Sequence, residues 1–301
     1  MDGHPDGVLL LDKPAGYSST QALGRAKRLL GARKAGHTGT LDPFATGLLP
    51  LAFGEATKFS RFLIDASKAY LATLRLGVET STGDPEGEVT RRRPVSVDSA
   101  KIDAVLASFM GVQDQTPPMH SAVRVGGRRL YQLAREGREI ERAARRVEIA
   151  ALRQERLAGD ELVLSVTCSK GTYVRTLAQD IGEALGCGAY LTGLRRTAVG
   201  AFGLERAVTL EHLEALGVEG ARQRLLPVDV LVAELPRRDC PADEALRFTQ
   251  GQAVACADGQ PGDDIALYGP ADRFLGVGRC EASGRTIPLR LMATGDNSKA
   301  P

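Results

Sequence analysis

The sequence predicts an α+β protein: a mixed, largely antiparallel sheet with helices over about residues 1–234, then a small β-barrel over about 235–295. Three observations predict it. Apolar strand-like runs and segments of helical period alternate through the first part. After about Leu235 the texture changes to short strands separated by Gly, Pro and Asp turns. The 301 residues suffice for one large domain and one small accessory domain.

Gly7–Asp12 is an apolar run stopped by Lys13-Pro14 and reads as a buried strand. Ser18-Ser19-Thr20 offers an N-cap; Ala22, Leu23, Ala26, Leu29 and Leu30 then follow at helical spacing, and Gly31 ends the helix. Ala35–Pro50, with three glycines, two prolines and no clear period, reads as a loop held in a special backbone shape. Leu48–Phe53 resumes an apolar strand, Ala56–Leu63 reads as a short helix and Tyr70–Gly77 as a strand. Val97–Met110 is a predicted helix with Val105, Leu106 and Phe109 inward. Gln113–Arg128 is irregular, and Leu130–Arg135 is a helical turn ending at Gly137. Val147–Glu155 and Glu161–Cys168 are strands; Ser169 is the expected cap of a helix with Val174, Leu177, Ala178, Ile181 and Leu185 on one face. Arg195-Arg196-Thr197 leads into a strand, and Thr209 caps a short helix. The barrel strands are Gln252–Cys256, Asp264–Tyr268, Phe274–Cys280 and Ile287–Leu291, with 296–301 as a disordered tail.

No apolar run approaches the ~20 residues that span a bilayer, and Met1–Gly7 lacks the basic-then-apolar order of a signal peptide. A cytoplasmic address follows by elimination. The five cysteines (168, 187, 240, 256, 280) are an odd, scattered set without a C-x-x-C pair, which argues against a disulfide framework and a structural zinc and for buried, inert thiols. The four histidines are scattered too, so no metal is implied. The net charge of +2 says little, but its distribution says more. Residues 124–146 hold eight arginines against three glutamates, and Arg25/Lys27/Arg28/Arg33/Lys34 and Arg91–Arg93 form further basic clusters. Such patches suit phosphate contacts, although each alone also reads as a solvated face.

The segment Gly36-His37-Thr38-Gly39-Thr40-Leu41-Asp42-Pro43 carries the chemistry. A carboxylate between a Thr-rich turn and a proline is rigidly held, as a nucleophile or base must be; on spacing alone, Asp-Pro also reads as a plain turn. Continued through Phe44-Ala45-Thr46-Gly47-Leu48-Leu49, the segment closely resembles the catalytic motif of the TruB pseudouridine synthase family. The resemblance includes Leu11-Asp12-Lys13-Pro14-Ala15-Gly16, Lys68-Ala69-Tyr70, Pro117-Pro118 through Gly127-Arg128-Arg129-Leu130-Tyr131 to Gly137, Cys168-Ser169-Lys170-Gly171-Thr172-Tyr173-Val174-Arg175 and Leu191–Arg196. It spans about two thirds of the chain, and the last part resembles a PUA domain, a small RNA-binding barrel, through Gly251-Gln252 and Phe274–Gly278.

The resemblance implies a catalytic domain with an RNA-binding insertion at about 113–146 and a PUA-like domain at about 235–295. It implies Asp42 as catalytic aspartate, Tyr70 as the tyrosine stacking on the target uracil, and Arg175 as the arginine that pairs with the aspartate. Leu194 would line the base pocket and His37 meet the unstacked RNA loop. Tyr173 is a further candidate substrate-binding residue, with simple packing under the site as its plainer reading. Arg128, Arg129 and Arg142 of the insertion would hold phosphates. His120 stands where a tyrosine is common and Arg124 where a lysine is common, so RNA contacts there are less defined than the chemistry. The implied reaction is isomerisation of uridine 55 in the tRNA T loop, without metal, cofactor or guide RNA, by a monomer with no obligate protein partner; the barrel would reach the acceptor stem. The rival readings are the catalytic subunit of a guide-RNA-dependent H/ACA-type particle, an RNA-folding chaperone and a glycosidase. The last usually wants two flanking carboxylates, where this motif offers one.

Overall fold

The computed structural model describes residues 4–121, 123–256 and 259–293. Its elements in chain order are β1 (Gly7–Lys13), α1 (Ser19–Leu29), β2 (Ala35–His37), β3 (Thr46–Phe53), α2 (Ser60–Ile64), β4 (Lys68–Leu76) and the hairpin β5 (Val78–Thr80) and β6 (Val89–Arg92). There follow α3 (Ser99–Ser108), β7 (Gly111–Gln115), the hairpin β8 (Arg124–Val125) and β9 (Arg128–Arg129), α4 (Leu130–Arg135), β10 (Arg145–Ala158), β11 (Glu161–Cys168), α5 (Val174–Ala184), β12 (Ala189–Val199), β13 (Phe202–Gly203) and α6 (Leu210–Arg222). The last part contains β14 (Arg237–Asp239), α7 (Ala242–Thr249), β15 (Val254–Ala255), β16 (Asp264–Gly269), β17 (Arg273–Cys280) and β18 (Arg285–Leu291).

The main sheet runs β1-β3-β12-β4-β11-β10-β7, with β2 beside β3 and β13 beside β12. The β3–β12 pair is parallel and the other pairs of this sheet are antiparallel, giving the expected mixed, largely antiparallel sheet. The apolar runs of β1 and β3 are continuous because both faces of this end of the sheet are covered. Leu9, Leu11, Leu49, Leu51 and Phe53 pack with α1 and α6, whereas Val8, Leu10, Leu48 and Ala52 pack with Phe59, Leu63, Val228 and Leu231. At the other end, Leu74, Leu76, Leu162, Leu164 and Val166 pack against α3 and α5. α1 starts with a capping box, Ser18 and Gln21 satisfying each other's backbone N–H.

The C-terminal sheet runs β14-β16-β17-β18-β15 and curls into a half-barrel. Its Ala266, Tyr268 and Val277 belong to the same buried cluster as Phe59, Leu63, Leu231 and Val232. The Tyr268 hydroxyl donates to Asp229 at 3.2 Å, and Arg61 meets Asp264. One apolar layer thus joins the two parts.

Several expectations are corrected. Cys256 and Cys280 form a disulfide: β15 and β17 flank β18, which brings their Cα atoms to 6.0 Å, a proximity their 24-residue separation conceals. Cys168, Cys187 and Cys240 are buried free thiols. Ser169 does not cap α5; its hydroxyl accepts from the Glu148 N–H, and Tyr173 is the capping residue, without a side-chain bond. β3 starts at Thr46, two residues before the apolar run, and Arg195 and Arg196 lie inside β12. Helix α7 was hidden by its turn-rich flanks, although Pro241, Asp243 and Glu244 give an ordinary helix start and Ala245 and Phe248 its buried face. The expected tail, 296–301, and the side chains of Arg124 and Arg129 lie outside the described residues.

Candidate active site

Asp42 sits between β2 and β3, on a loop fastened from four directions. The preceding residue, Leu41, is buried, and its N–H donates to the hydroxyl of Ser19 (2.8 Å), which donates back to the Leu41 carbonyl (3.0 Å). The following Pro43 carbonyl accepts from the Gly16 N–H at 2.8 Å and from Lys13 Nζ at 3.3 Å. The Arg196 guanidinium donates to the carbonyls of Leu48 and Gly39. The carboxylate itself meets Arg175: Nε is 3.0 Å from Oδ2, and Nη2 donates to Oδ1 at 3.4 Å, a bidentate geometry that only a planar fork provides.

Arg175 lies in the first turn of α5 with its side chain 5% exposed. Asp42, 33% exposed, is the open side of the pair. On the far side Arg175 Nη1 is 3.1 Å from Asp84, whose side chain is 4% exposed, and donates to the Thr82 carbonyl. Nη2 also donates to the His120 carbonyl at 2.6 Å. The guanidinium is therefore a bridge between two carboxylates, and a buried charge with this many partners is satisfied rather than stranded. Asp84 is in turn held by Thr82 Oγ1 and the Glu86 N–H. Sequence reading missed Asp84, yet the signal was present: Asp84-Pro85 repeats the Asp-Pro pairing of Asp42-Pro43.

Burial pushes the pKa of Asp42 up, the Arg175 guanidinium opposes this, Asp84 reinforces it, and Lys13 opposes it from further away. Lys13 is fully buried and donates to the carbonyls of Pro14 and Tyr17 as well as Pro43; burial lowers it to about 8, against the pull of Asp42. Burial also raises the Tyr70 phenol, with Arg196 opposing.

Tyr70 and Leu194 are half-buried, and both pack where the α5-side core and the α1-side core meet. They lie on neighbouring strands, β4 and β12, where Leu194 pairs with Ala72 and Arg196 with Tyr70. The structure thus gathers Asp42, Arg175, Tyr70 and Leu194. Tyr173 stands at the start of α5, its backbone N–H and C=O both bonded by the buried Gln115 side chain. His37 ends β2, half-buried, opposite Leu51. The insertion arginines stand apart from this group: Arg128 is exposed and paired with Glu136, while Arg142 donates to the Pro117 carbonyl and faces Glu139. Among the described residues, no group of three or more His, Cys, Asp and Glu is arranged to hold a metal, and no helix is long and apolar enough to cross a membrane.

Comparison with known proteins gives this geometry a context. Residues 27–174 match the model of the TruB family pseudouridylate synthase N-terminal domain, 175–233 the tRNA pseudouridylate synthase B C-terminal domain, and 239–292 the C-terminal model of pseudouridine synthase II TruB. The chain is 53% identical over 289 residues to tRNA pseudouridine synthase B of Aromatoleum aromaticum, covering 96% of this chain and 93% of that one. It is 54% identical over 296 residues to the protein of the same name from Burkholderia mallei, covering 96% and 98%. Among solved structures, a Cbf5-Nop10-Gar1 complex superposes with TM-score 0.75 at 26% identity, covering 97% of this chain and 88% of that one. An H/ACA RNP bound to a substrate RNA containing 2′-deoxyuridine gives 0.74 at 26% identity, covering 96% and 86%. With family models matching along most of its length and relatives more than half identical over nearly all of it, the chain belongs to the TruB family of pseudouridylate synthases.

Proposed function

We propose that this chain isomerises uridine to pseudouridine at position 55 in the T loop of tRNA, acting alone and without a guide RNA. The observation that carries the reading is the Asp42 carboxylate, gripped by the fork of Arg175 beside Tyr70 and Leu194. The names of the more than half-identical relatives supply the tRNA substrate.

The reaction breaks the bond from uracil N1 to ribose C1′, turns the base, joins C5 to C1′ and frees the C5 hydrogen. The target nucleotide leaves its stack to reach a recessed carboxylate, at a cost of a few kcal/mol that a strained RNA loop reduces. Asp42 is the acting carboxylate. Arg175 keeps it ionised and aimed against the pull of burial. Tyr70 offers a flat face to the uracil and a phenol able to move a proton, and Leu194 lines the pocket. His37 and Tyr173 border the RNA loop, and Arg128, Arg129 and Arg142 hold phosphates along the insertion. The C-terminal half-barrel contacts the acceptor stem. The protein works as a monomer in the cytoplasm, where tRNA is found, and no step needs a metal or redox group.

The test is incubation of the pure chain with an unmodified tRNA transcript, followed by mass mapping after derivatisation specific for pseudouridine. One modified site, lost when uridine 55 is replaced by cytidine, is expected. Modification that needs added guide RNA, or maps elsewhere, would overturn the reading.

A further inference from the structure

Arg196 is 1% exposed and heads the largest fully buried side chains of the protein. Among the described residues no carboxylate lies within ion-pair distance of it. Burying a guanidinium without a counter-ion is costly unless its N–H groups are satisfied, and a neutral side chain of similar shape would pack a strand at lower cost. The partners it does have are informative. One edge of the guanidinium spans two carbonyls: Nε donates to Leu48 at 2.7 Å and Nη2 to Gly39 at 3.2 Å. Those two residues bracket Asp42. Across the β4–β12 ladder, the Cα partner of Arg196 is Tyr70, and directly opposed residues project to the same face within contact distance. The backbone of Arg196 is also the surface on which Gly47 rests: a Cβ there would fall 2.2 Å from the Arg196 carbonyl oxygen, at φ +101°.

We propose that Arg196 is a positioning residue: one buried guanidinium closes the loop that presents Asp42 by tying its two ends together, and holds that loop in register with Tyr70. This rests on the reading of Asp42 and Tyr70 as acting groups. Lysine should not replace it, because the carbonyls of Leu48 and Gly39 are met by two separate nitrogens fixed in one plane, an arrangement that a lysine's one nitrogen does not reproduce. The guanidinium also lies beside the Tyr70 phenol, where it favours the ionised form against burial.

The experiment uses the full chain with Arg196→Gln, Arg196→Lys, Tyr70→Phe and the double variant Tyr70→Phe/Arg196→Gln. Three quantities are read: the single-turnover rate of tritium release from tRNA carrying C5-labelled uridine, tRNA Kd, and hydrogen exchange of the 39–48 peptide. Displacing an aimed group by about 1 Å costs on the order of 100-fold in rate, so Arg196→Gln is expected to slow turnover about that much while Kd moves less than about threefold. Exchange should rise in 39–48 and stay unchanged in β10 and the half-barrel. Arg196→Lys, which keeps the buried charge and guards against a Gln variant that does not fold, should recover no more than about a tenth of the loss. Because the guanidinium holds the loop in register with Tyr70, the penalty of Arg196→Gln should be at least roughly threefold smaller in the Tyr70→Phe background. Folded Arg196 variants with near wild-type turnover and unchanged exchange in 39–48 would overturn the proposal, as would strictly multiplicative losses with Tyr70→Phe. Wild-type protein that turns over no uridine would defeat the proposed function instead, while the exchange measurement would still decide whether Arg196 ties the loop.

Discussion

At the scale of residues, one buried guanidinium, Arg175, links the two carboxylates Asp42 and Asp84. Asp42 is raised by burial and by Asp84, so the folded protein holds its proton to higher pH than the unfolded chain does. If the ionised form acts, the acid limb of the pH–rate profile lies above the ordinary carboxylate range. Asp84→Asn removes a like charge and frees Arg175 for Asp42, so it should move that limb to lower pH while reducing kcat on the order of tenfold or more. A limb that stays put would remove Asp84 from the electrostatics of the site. Asp42→Asn should abolish turnover and leave tRNA Kd within about threefold, because many phosphate contacts carry affinity. The stability effect has the opposite sign. A carboxyl with a raised folded-state pKa contributes stability that is lost as pH rises through that pKa. The Asn variant should therefore match or exceed wild type in Tm near pH 8, and the two curves should converge on acidification. A much less stable Asn variant at pH 8 would show that the Arg175 contact outweighs burial. Arg175→Lys should recover little of the activity lost in Arg175→Met, since the ammonium lacks the fork that meets both oxygens of Asp42.

At the scale of elements, legibility followed periodicity. The spacing of Ala22, Ala26 and Leu30 with Ser18 ahead of it gave α1 and its cap, and β11 was read to the residue. Two-sided burial made β1 and β3 read as apolar runs, which fixes them as strands without telling which residues face which core. The firmly held place of Asp42 was legible through its motif, whereas the contacts of Lys13, Asp84 and Arg196 arise only when distant segments meet. No local pattern announces a lysine that bonds carbonyls on another loop. The Ser169 cap failed because a hydroxyl placed before a helix can serve another strand instead, here β10 through Glu148. The glycine at β3 gives an element-scale prediction. Gly47→Ala combines left-handed backbone with a 2.2 Å collision against the Arg196 carbonyl, and should cost roughly 1–3 kcal/mol in urea unfolding, with a parallel loss of turnover. In the insertion, Arg128→Ala should lower the slope of log affinity against log salt by about one unit if Arg128 holds one phosphate. Its pairing with Glu136 is exposed and contributes little to folding, so Tm should not change. An unchanged salt slope would take Arg128 off the RNA.

At the scale of the whole molecule, the two parts are held by a common apolar layer, with the Phe59–Phe274 ring pair at 5.2 Å within it. Composition showed where the texture changed near Leu235, but shared burial is a property of contacts and was not visible there. Removing residues 235–301 would therefore uncover Phe59, Leu63, Leu231 and Val232. The truncated chain should bind a hydrophobic dye and unfold several degrees below the intact protein, and a truncation with unchanged Tm and no dye binding would show that the layer contributes little. The proposed contacts between the half-barrel and the acceptor stem are better probed by exposed substitutions such as Arg247→Ala and Arg285→Ala, read as a loss of full-tRNA binding while turnover of a minimal T-arm RNA hairpin, which lacks that stem, is kept.

The fastening of the Asp42 loop also has a temporal consequence. Its anchors are Gly16 and Ser19, then Arg175, then Arg196, so the grip on residue 42 is completed by residues more than a hundred positions downstream. Contacts of such sequence separation form late, and a ribosome adds only about 5–20 residues per second. A nascent chain halted before Arg175 emerges therefore carries the whole aspartate motif without its geometry. Such a halted chain should turn over no uridine, and the gain of turnover along a series of lengthening chains would report the moment at which the central sheet closes.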